Sequence, residues 1–168
     1  MKKRYYTIQL LALALILFST ILVSATKNPD EVRIKLTFKQ GPWDSEGVGY
    51  NDGRWHANGV ITDAGTVHDD YIFDNSDGSM SSSYTMIGKH GELYIDVELG
   101  PFEWIGPWTG KFEGTYTITG GTGEYASILG SGEATQIIVY ASTMHAGEYM
   151  VGAPCISNHV VLEGTIQN

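Results

Sequence analysis

Alternating apolar and polar residues run through most of the chain after residue 30, and this period of two is typical of half-buried β-strands. Residues 31–38 show it most clearly, because their apolar members all fall on one face: Val32, Ile34, Leu36 and Phe38. Further runs over residues 54–62, 66–73, 79–87, 92–99, 111–119, 133–140 and 157–166 bring the prediction to about eight strands. Helical periodicity is absent from these runs.

Clusters of Gly, Asn, Asp and Pro predict the turns between the strands. Residues 40–42 are predicted to end the first strand, and turns are predicted at residues 50–53, 63–65, 74–78 and 88–91. The turn at 74–78 lacks the ligand spacing and closing Glu of a calcium loop, so it is interpreted as a plain turn. Mostly short connections favour an up-and-down sheet that closes on itself and leaves no exposed edge. The predicted fold class is all-β, a closed antiparallel eight-stranded barrel.

A glycine-rich corner is predicted at residues 114–132, between two strands. Gly120, Gly121 and Gly123 are expected to take positive φ, which other residues reach only at a cost. Glycine-rich turns can also cradle anions, but no Lys or Arg follows Lys111 in the sequence. The corner is therefore expected to close the barrel rather than to bind a ligand.

Residues 1–25 are predicted to be a cleaved secretory signal peptide, and residues 26–168 a single β-barrel domain. Lys2, Lys3 and Arg4 precede an apolar run of about 14 residues, and small residues at 23–25 suit cleavage. The run is shorter than the roughly 20 residues that span a bilayer. A retained membrane anchor and a pilin-like leader are the alternatives. Cleavage predicts a protein that is secreted or at the cell surface, without stable membrane insertion.

The net charge and the cysteine content limit which binding partners and cross-links are expected. Loss of the three leading basic residues leaves seven of the ten basic residues against 19 acidic ones, a net charge of −12. Such a surface repels nucleic acid, so no nucleic-acid partner is predicted. Cys155 is the single cysteine, which excludes an internal disulfide. It is interpreted as a small buried apolar residue, with an intermolecular bridge or a lipid-modified thiol as alternatives.

The sequence Gly-Thr-Tyr-Thr-Ile-Thr-Gly-Gly-Thr-Gly-Glu-Tyr-Ala, beginning at Gly114 and followed by Gly-Ser-Gly at 130–132, resembles the dirigent and allene oxide cyclase-like barrel families. The segments at residues 63–67 and 88–93 also look like that layout. The resemblance implies an eight-stranded barrel of calycin-like or allene oxide cyclase-like type with a central cavity, often in a homotrimer. No catalytic residue of those families is carried over to this chain, because none matches a particular position here.

The strand register predicts which side chains line the barrel interior. Besides aliphatic residues, nine are expected to face inward: Trp55, Asp69, Tyr71, Met80, Tyr84, Met86, Tyr116, Gln136 and Tyr140. Apolar and aromatic walls with a few polar groups are typical of a small-molecule site. An inward Asp69 would have a raised pKa, which suits acid–base chemistry. Two alternatives are a register error of one residue, which would bring in His68 and Asp70 instead, and an interior filled by its own side chains.

Motifs for nucleophilic catalysis or metal binding are missing from the sequence. The five histidines are scattered, with His56, His68 and His159 predicted to face outward and His90 in a turn. No cofactor and no metal are predicted. Two Gly-Pro-Trp segments, at 41–43 and 106–108, are interpreted as plugs of a barrel end or as indole lids over its mouth.

Three functions remain at this point. The favoured prediction is a secreted barrel that binds a small apolar or aromatic molecule in its interior without catalysis. The second is a cofactor-free isomerase or cyclase, or a dirigent-like protein, in which Asp69 and the tyrosines act on the substrate. The third is a structural subunit of a cell surface or filament, favoured by the leader, the acidity and the strands rich in Gly, Ser and Thr.

Overall fold

A computed structural model describes residues 30–43, 46–74, 76–140 and 155–167, with the side chains of residues 40, 42 and 43 left aside. The predicted signal peptide and residues 141–154, between the last two predicted strands, lie outside the described residues. Nine strands follow one another in the order β1 Glu31–Trp43, β2 Val48–Gly59, β3 Asp63–Phe73, β4 Met80–Gly88, β5 Glu92–Leu99, β6 Glu103–Trp104, β7 Thr109–Gly121, β8 Leu129–Tyr140 and β9 Cys155–Gln167. Within the described part, helical structure is limited to one 3₁₀ turn, Gly123–Tyr125.

Eight of these strands form a closed antiparallel barrel, as predicted. Neighbours in the chain pair with each other from β1 to β5 and from β7 to β9. Two further pairings, β1 with β9 and β5 with β7, close the ring. The two-residue strand β6 pairs only with the start of β7 and stays outside the ring. The prediction of an all-β closed eight-stranded barrel is confirmed.

The barrel core follows the alternation seen in the sequence. On β1 the buried residues are the four apolar ones at 32, 34, 36 and 38, and on β5 they are Leu93, Ile95, Val97 and Leu99. Their neighbours, such as Arg33 and Asp96, are exposed. Successive side chains of a strand point to opposite faces, so one apolar face per strand produces one continuous interior.

The two ends of the barrel differ. At the end called lower here, connections at residues 60–62, 89–91 and 122–128 join the strands. At the upper end, the described residues between barrel strands are 46–47, 74, 76–79 and 100–108. The lower half of the interior is apolar, with Ile34, Met86 and Leu162 fully buried. The buried polar residues lie near the upper end, so the two halves of the interior differ in polarity.

Two predicted turns are wrong, because the structure places both segments in strands. Residues 50–53 lie inside β2, which begins at Val48. Residues 63–65 begin β3, and the chain turns before them, at residues 60–62. Gly53 and Gly65 are nevertheless needed as glycines. A Cβ at Gly53 would overlap the carbonyl oxygen of Thr37, and one at Gly65 would overlap that of Ile87. Both glycines allow neighbouring strands to approach closely rather than to reverse direction.

The glycine-rich corner at 114–132 connects β7 to β8 as predicted, but its glycines have different roles. Gly120 and Gly123 take positive φ, at 140° and 59°. Gly121 does not, so that part of the prediction is wrong. A Cβ at Gly121 would overlap the carbonyl oxygen of Glu92 and lie 2.8 Å from the Cβ of Tyr125. Gly121 is thus required by close packing and not by backbone conformation.

Candidate functional site

All nine residues predicted to face the interior are buried, with none more than 6% exposed: Trp55, Asp69, Tyr71, Met80, Tyr84, Met86, Tyr116, Gln136 and Tyr140. They come from five strands of the barrel. Their inward direction follows from the alternation in each strand. Whether they line a ligand cavity stays a prediction.

Asp69 lies at the centre of the polar part of the interior. On β3 it is opposite Asn51 of β2 and Tyr84 of β4. The Nδ2 of Asn51 donates a hydrogen bond of 2.7 Å to Oδ2 of Asp69, and both groups are buried. The side-chain oxygen of Asn51, Oδ1, accepts a longer hydrogen bond of 3.4 Å from the backbone N–H of Gly41. This bond fixes the orientation of the Asn51 side-chain amide. Asn51 therefore presents its donor side to the carboxylate.

Burial raises the pKa of Asp69 to about 6 from an ordinary value of 3.8. The hydrogen bond from Asn51 and the nearby hydroxyl of Ser82 act in the opposite direction but are weaker. Ser82 Oγ and the second carboxylate oxygen, Oδ1 of Asp69, make no hydrogen bond of ordinary geometry with described residues. Near neutral pH the interior thus holds a carboxylate that is only half satisfied.

A second polar pair lies on β8 and β9. Nε2 of Gln136 donates a buried hydrogen bond of 2.8 Å to Oδ1 of Asn158. The carbonyl oxygen of the Gln136 side chain, Oε1, is buried and has no partner among the described residues. With the three polar residues on β2, β3 and β4, this pair forms what we call the buried polar set: Asn51, Asp69, Ser82, Gln136 and Asn158. Each lies within four residues of the upper terminus of its strand.

Two buried tyrosines add hydroxyl groups to this interior. Tyr84 packs against Phe38 with ring centroids 5.5 Å apart, and burial raises its pKa well above 10. Burial also raises the pKa of Tyr116 to about 12. Neither hydroxyl makes a hydrogen bond of ordinary geometry with a described residue, although that of Tyr84 lies near the Ser82 hydroxyl. A Cβ at Gly164 would lie 2.7 Å from Oη of Tyr116, so this glycine leaves room for the hydroxyl against β9.

Aromatic rings cover the upper end of the barrel. Phe102 contacts Trp104 and Phe112 with centroids 5.0 Å apart in each pair, and Trp104 also packs against Tyr140 at 5.9 Å. Trp104 and Trp108 are equally exposed, at 38% and 39%, and the ring contacts to this cluster are those of Trp104. The side chain of the remaining predicted plug, at position 43, is outside the described ones.

Asp63 ties the lower end together. Its carboxylate accepts hydrogen bonds from the Tyr125 hydroxyl at 2.7 Å, from the amide of Ala64 at 2.8 Å and from the amides of Lys89 and His90 at 3.3 Å. Burial acts to raise the pKa of Asp63, but these hydrogen bonds outweigh it and the pKa is lowered. This carboxylate joins three connections, so its role is structural.

Three members of the buried polar set were missed as site residues in the sequence. Asn51 was assigned to a turn. Ser82 lies between Met80 and Tyr84 in the alternation, so it shares their inward face, but it is not among the predicted site residues. Asn158 lies two residues before Val160 on the same buried face, so extending the alternation by one step would have found it.

The remaining candidates do not form a site in the described part of the chain. His56, His68 and His159 face outward as predicted, and no three His, Cys, Asp or Glu side chains there are placed to hold a metal. Cys155 is only partly buried against the core, and burial raises the pKa of its thiol. No helix among the described residues is long and apolar enough to cross a membrane.

Comparison with known proteins adds no assignment. No family model, no curated protein and no solved structure matches the chain. The resemblance of residues 114–132 to the dirigent and allene oxide cyclase-like families therefore stays a prediction. What the structure does show is an eight-stranded antiparallel barrel with its buried polar groups gathered towards one end.

Proposed function

We propose that this barrel binds a small molecule in the upper half of its interior, by an apolar or aromatic body and a polar group that reaches the buried polar set. The observation that carries the proposal is the number of buried polar atoms without partners. Five such atoms belong to Asp69, Ser82, Tyr84, Tyr116 and Gln136. Leaving one buried donor or acceptor unsatisfied costs about 1–3 kcal/mol, and a bound small molecule or water would relieve that cost. The Ser82 hydroxyl lies near both Asp69 and Tyr84 and offsets part of it.

The chemistry of these atoms indicates what the ligand would offer. Asp69 Oδ1 and Gln136 Oε1 are acceptors, whereas the hydroxyls of Tyr84, Tyr116 and Ser82 can donate or accept. A ligand with a hydroxyl or amino donor suits the two acceptors, and the surrounding apolar residues suit an apolar body. A ligand without polar groups would leave the cost unchanged.

The binding test is mass spectrometry of small molecules that copurify with the protein produced from its full sequence. The double variant Asp69→Leu/Gln136→Leu should lose the bound compound, because both acceptors are removed. The variant Met86→Leu, at a fully buried apolar position of the lower half, is the matched control and should keep it. If wild type carries no compound and takes up no apolar or aromatic probe from a library, the proposal is wrong.

A second candidate is a cofactor-free isomerase or cyclase, favoured by the pKa of Asp69 at about 6. A carboxyl group poised near neutral pH, held by Asn51, is suited to moving a proton at carbon or oxygen of a bound substrate. Asp69→Asn separates the two candidates: in an enzyme it abolishes turnover of the copurifying compound while binding persists. A simple binding protein shows no turnover in wild type or variant.

Location outside the cytoplasm is part of the proposal and is supported only by the leader-like sequence at residues 1–25. Intact mass measurement of the protein recovered from the medium or cell surface of a producing host tests it. Cleavage after residue 25 gives a chain that starts at Thr26. An uncleaved chain retained with the cells would contradict this location.

A further inference from the structure

A groove with a volume of about 610 Å³ crosses the outer face of β1, β2 and β3. Its polar lining includes two cations, an imidazole and two hydroxyls: Lys35, Arg54, His56, Thr37 and Thr66. Ala64 and Gly65 form its border on β3, and their small size leaves the groove open there. The groove lies on the opposite face of the sheet from the buried polar set, so it is a separate site.

The strand register brings the two cations together. Lys35 is opposite His56 and Thr37 is opposite Arg54, all on outward positions of β1 and β2. Lys35 and Arg54 are therefore diagonal neighbours on one face, within reach of each other's long side chains. On β3, Thr66 is opposite Arg54 and adds a hydroxyl beside the guanidinium.

Neither cation forms an ion pair with any residue that the structure describes. Lys39 and Lys89 form none there either, whereas Arg33 contacts Glu163 at 2.8 Å and Lys111 contacts Glu103 and Glu113. The carboxylates nearest along the outer face are used elsewhere, Glu163 by Arg33 and Asp52 by His68 at 2.8 Å. The groove thus keeps an uncompensated positive charge.

This arrangement is unexpected in a chain with 19 acidic and 10 basic residues. Like charges at neighbouring positions of a sheet face repel each other, and a bound anion would relieve that repulsion. With carboxylates abundant in the sequence, none occupies the position that would neutralise Lys35 and Arg54. The pair is accordingly free to bind an external anion.

We propose that this groove binds a compact small molecule with two anionic groups, of the phosphate or carboxylate type. One anionic group contacts Lys35 and the other is held by the guanidinium of Arg54, whose planar fork donates two parallel hydrogen bonds. The hydroxyl of Thr66 can donate to the same group. Compactness follows from the surroundings, because Glu163, Asp52 and the acidic remainder of the surface repel a long polyanion.

Isothermal titration calorimetry at low ionic strength tests the proposal on protein produced from the full chain. Inorganic pyrophosphate and citrate are titrated separately, so that phosphate and carboxylate chemistry are distinguished. We expect at least one of them to bind at a single site. Lys35→Gln and Arg54→Gln should each weaken binding about tenfold or more, since each removes a charge-assisted hydrogen bond.

Lys111→Gln is the matched control, because it makes the same charge change on β7, across the barrel from β1, β2 and β3. Its affinity should stay within about twofold of wild type, because a charge on the far side of the barrel adds little to the potential in the groove. The double variant at 35 and 54 should unfold at no lower urea concentration than wild type, because it removes a repulsion. No binding of either anion overturns the proposal, and so does an equal loss of affinity in Lys111→Gln.

Discussion

Replacement of Asp69 by Asn should stabilise the protein near neutral pH and hardly change it near pH 4. The variant keeps an oxygen that accepts the hydrogen bond from Asn51, which is 2.7 Å in wild type, and it removes the buried negative charge. The pKa of Asp69 is about 6 in the folded chain against an ordinary 3.8. At 1.36 kcal/mol per pKa unit, this difference corresponds to about 3 kcal/mol.

The direction of the pH dependence follows from proton binding. Because the folded state holds this proton more tightly than the unfolded chain, the carboxyl's contribution to stability is full below pH 3.8. It is lost progressively up to about pH 6 and is gone above about pH 7. The free energy of unfolding of Asp69→Asn minus that of wild type should therefore grow by about 2–3 kcal/mol between pH 4 and pH 7.5.

Urea denaturation of both proteins at a series of pH values measures this difference in the free energy of unfolding. Contributions of the other titrating groups are the same in both proteins and cancel when one value is subtracted from the other. Asp96→Asn is the matched control, since Asp96 is exposed on the outer face of β5. The free energy of unfolding of Asp96→Asn minus that of wild type should change by less than about 0.5 kcal/mol over the same pH range, because the Asp96 side chain is exposed to solvent in the folded and in the unfolded chain. A difference for Asp69→Asn that stays flat with pH would refute the assignment of a buried, half-satisfied carboxylate.

Three further predictions concern single contacts. Asp63→Asn should lower the free energy of unfolding by about 1–3 kcal/mol at pH 7. Because the pKa of Asp63 is lowered in the folded chain, this loss of stability should shrink as the pH falls below about 4. Urea titration at several pH values measures it. Asn51→Leu should raise the pKa of Asp69 above its wild-type value, followed by NMR of the carboxyl carbon, and an unchanged midpoint would contradict the hydrogen bond. Gly121→Ala should destabilise by more than about 3 kcal/mol, because its Cβ would overlap backbone atoms. Gly120→Ala, with nothing within 4 Å of its Cβ, should cost only the strain of a φ of 140°, about 1–3 kcal/mol. Thermal melts of the two glycine variants side by side check the order, and equal effects would contradict it.

The inward faces of the strands could be predicted from the sequence because alternation is a local property. Once Val67 and Tyr71 are assigned to the core, Asp69 between them must face inward, and it is buried. The same argument held for Tyr84 and Gln136. A barrel makes this inference safe, since every strand has one face towards a single apolar interior.

The polar contacts inside the barrel could not be predicted, because they depend on pairing between strands. The sequence Asn-Asp-Gly at 51–53 is a strong turn signal, but β2 pairs there with both β1 and β3, and this pairing outweighs the local preference. Gln136 and Asn158 lie on different strands. The alternation within each strand could not predict how the two strands align, and so could not predict the hydrogen bond between these side chains. The outer groove was missed for the same reason: Lys35 and Arg54 are neighbours only once β1 and β2 are aligned.

The pairing of β1 with β9 has a consequence for how the chain folds. It joins residues such as Ile34 and Leu162, the first and last strands in chain order, whereas most other pairings connect strands adjacent in sequence. Closing so long a loop is entropically costly and slow. While β9 is still missing during synthesis, β1 and β8 each expose an unpaired edge, which is the state most open to aggregation. A chain truncated before residue 155 should therefore form no stable barrel, and chaperone dependence should end only when the last strand is available.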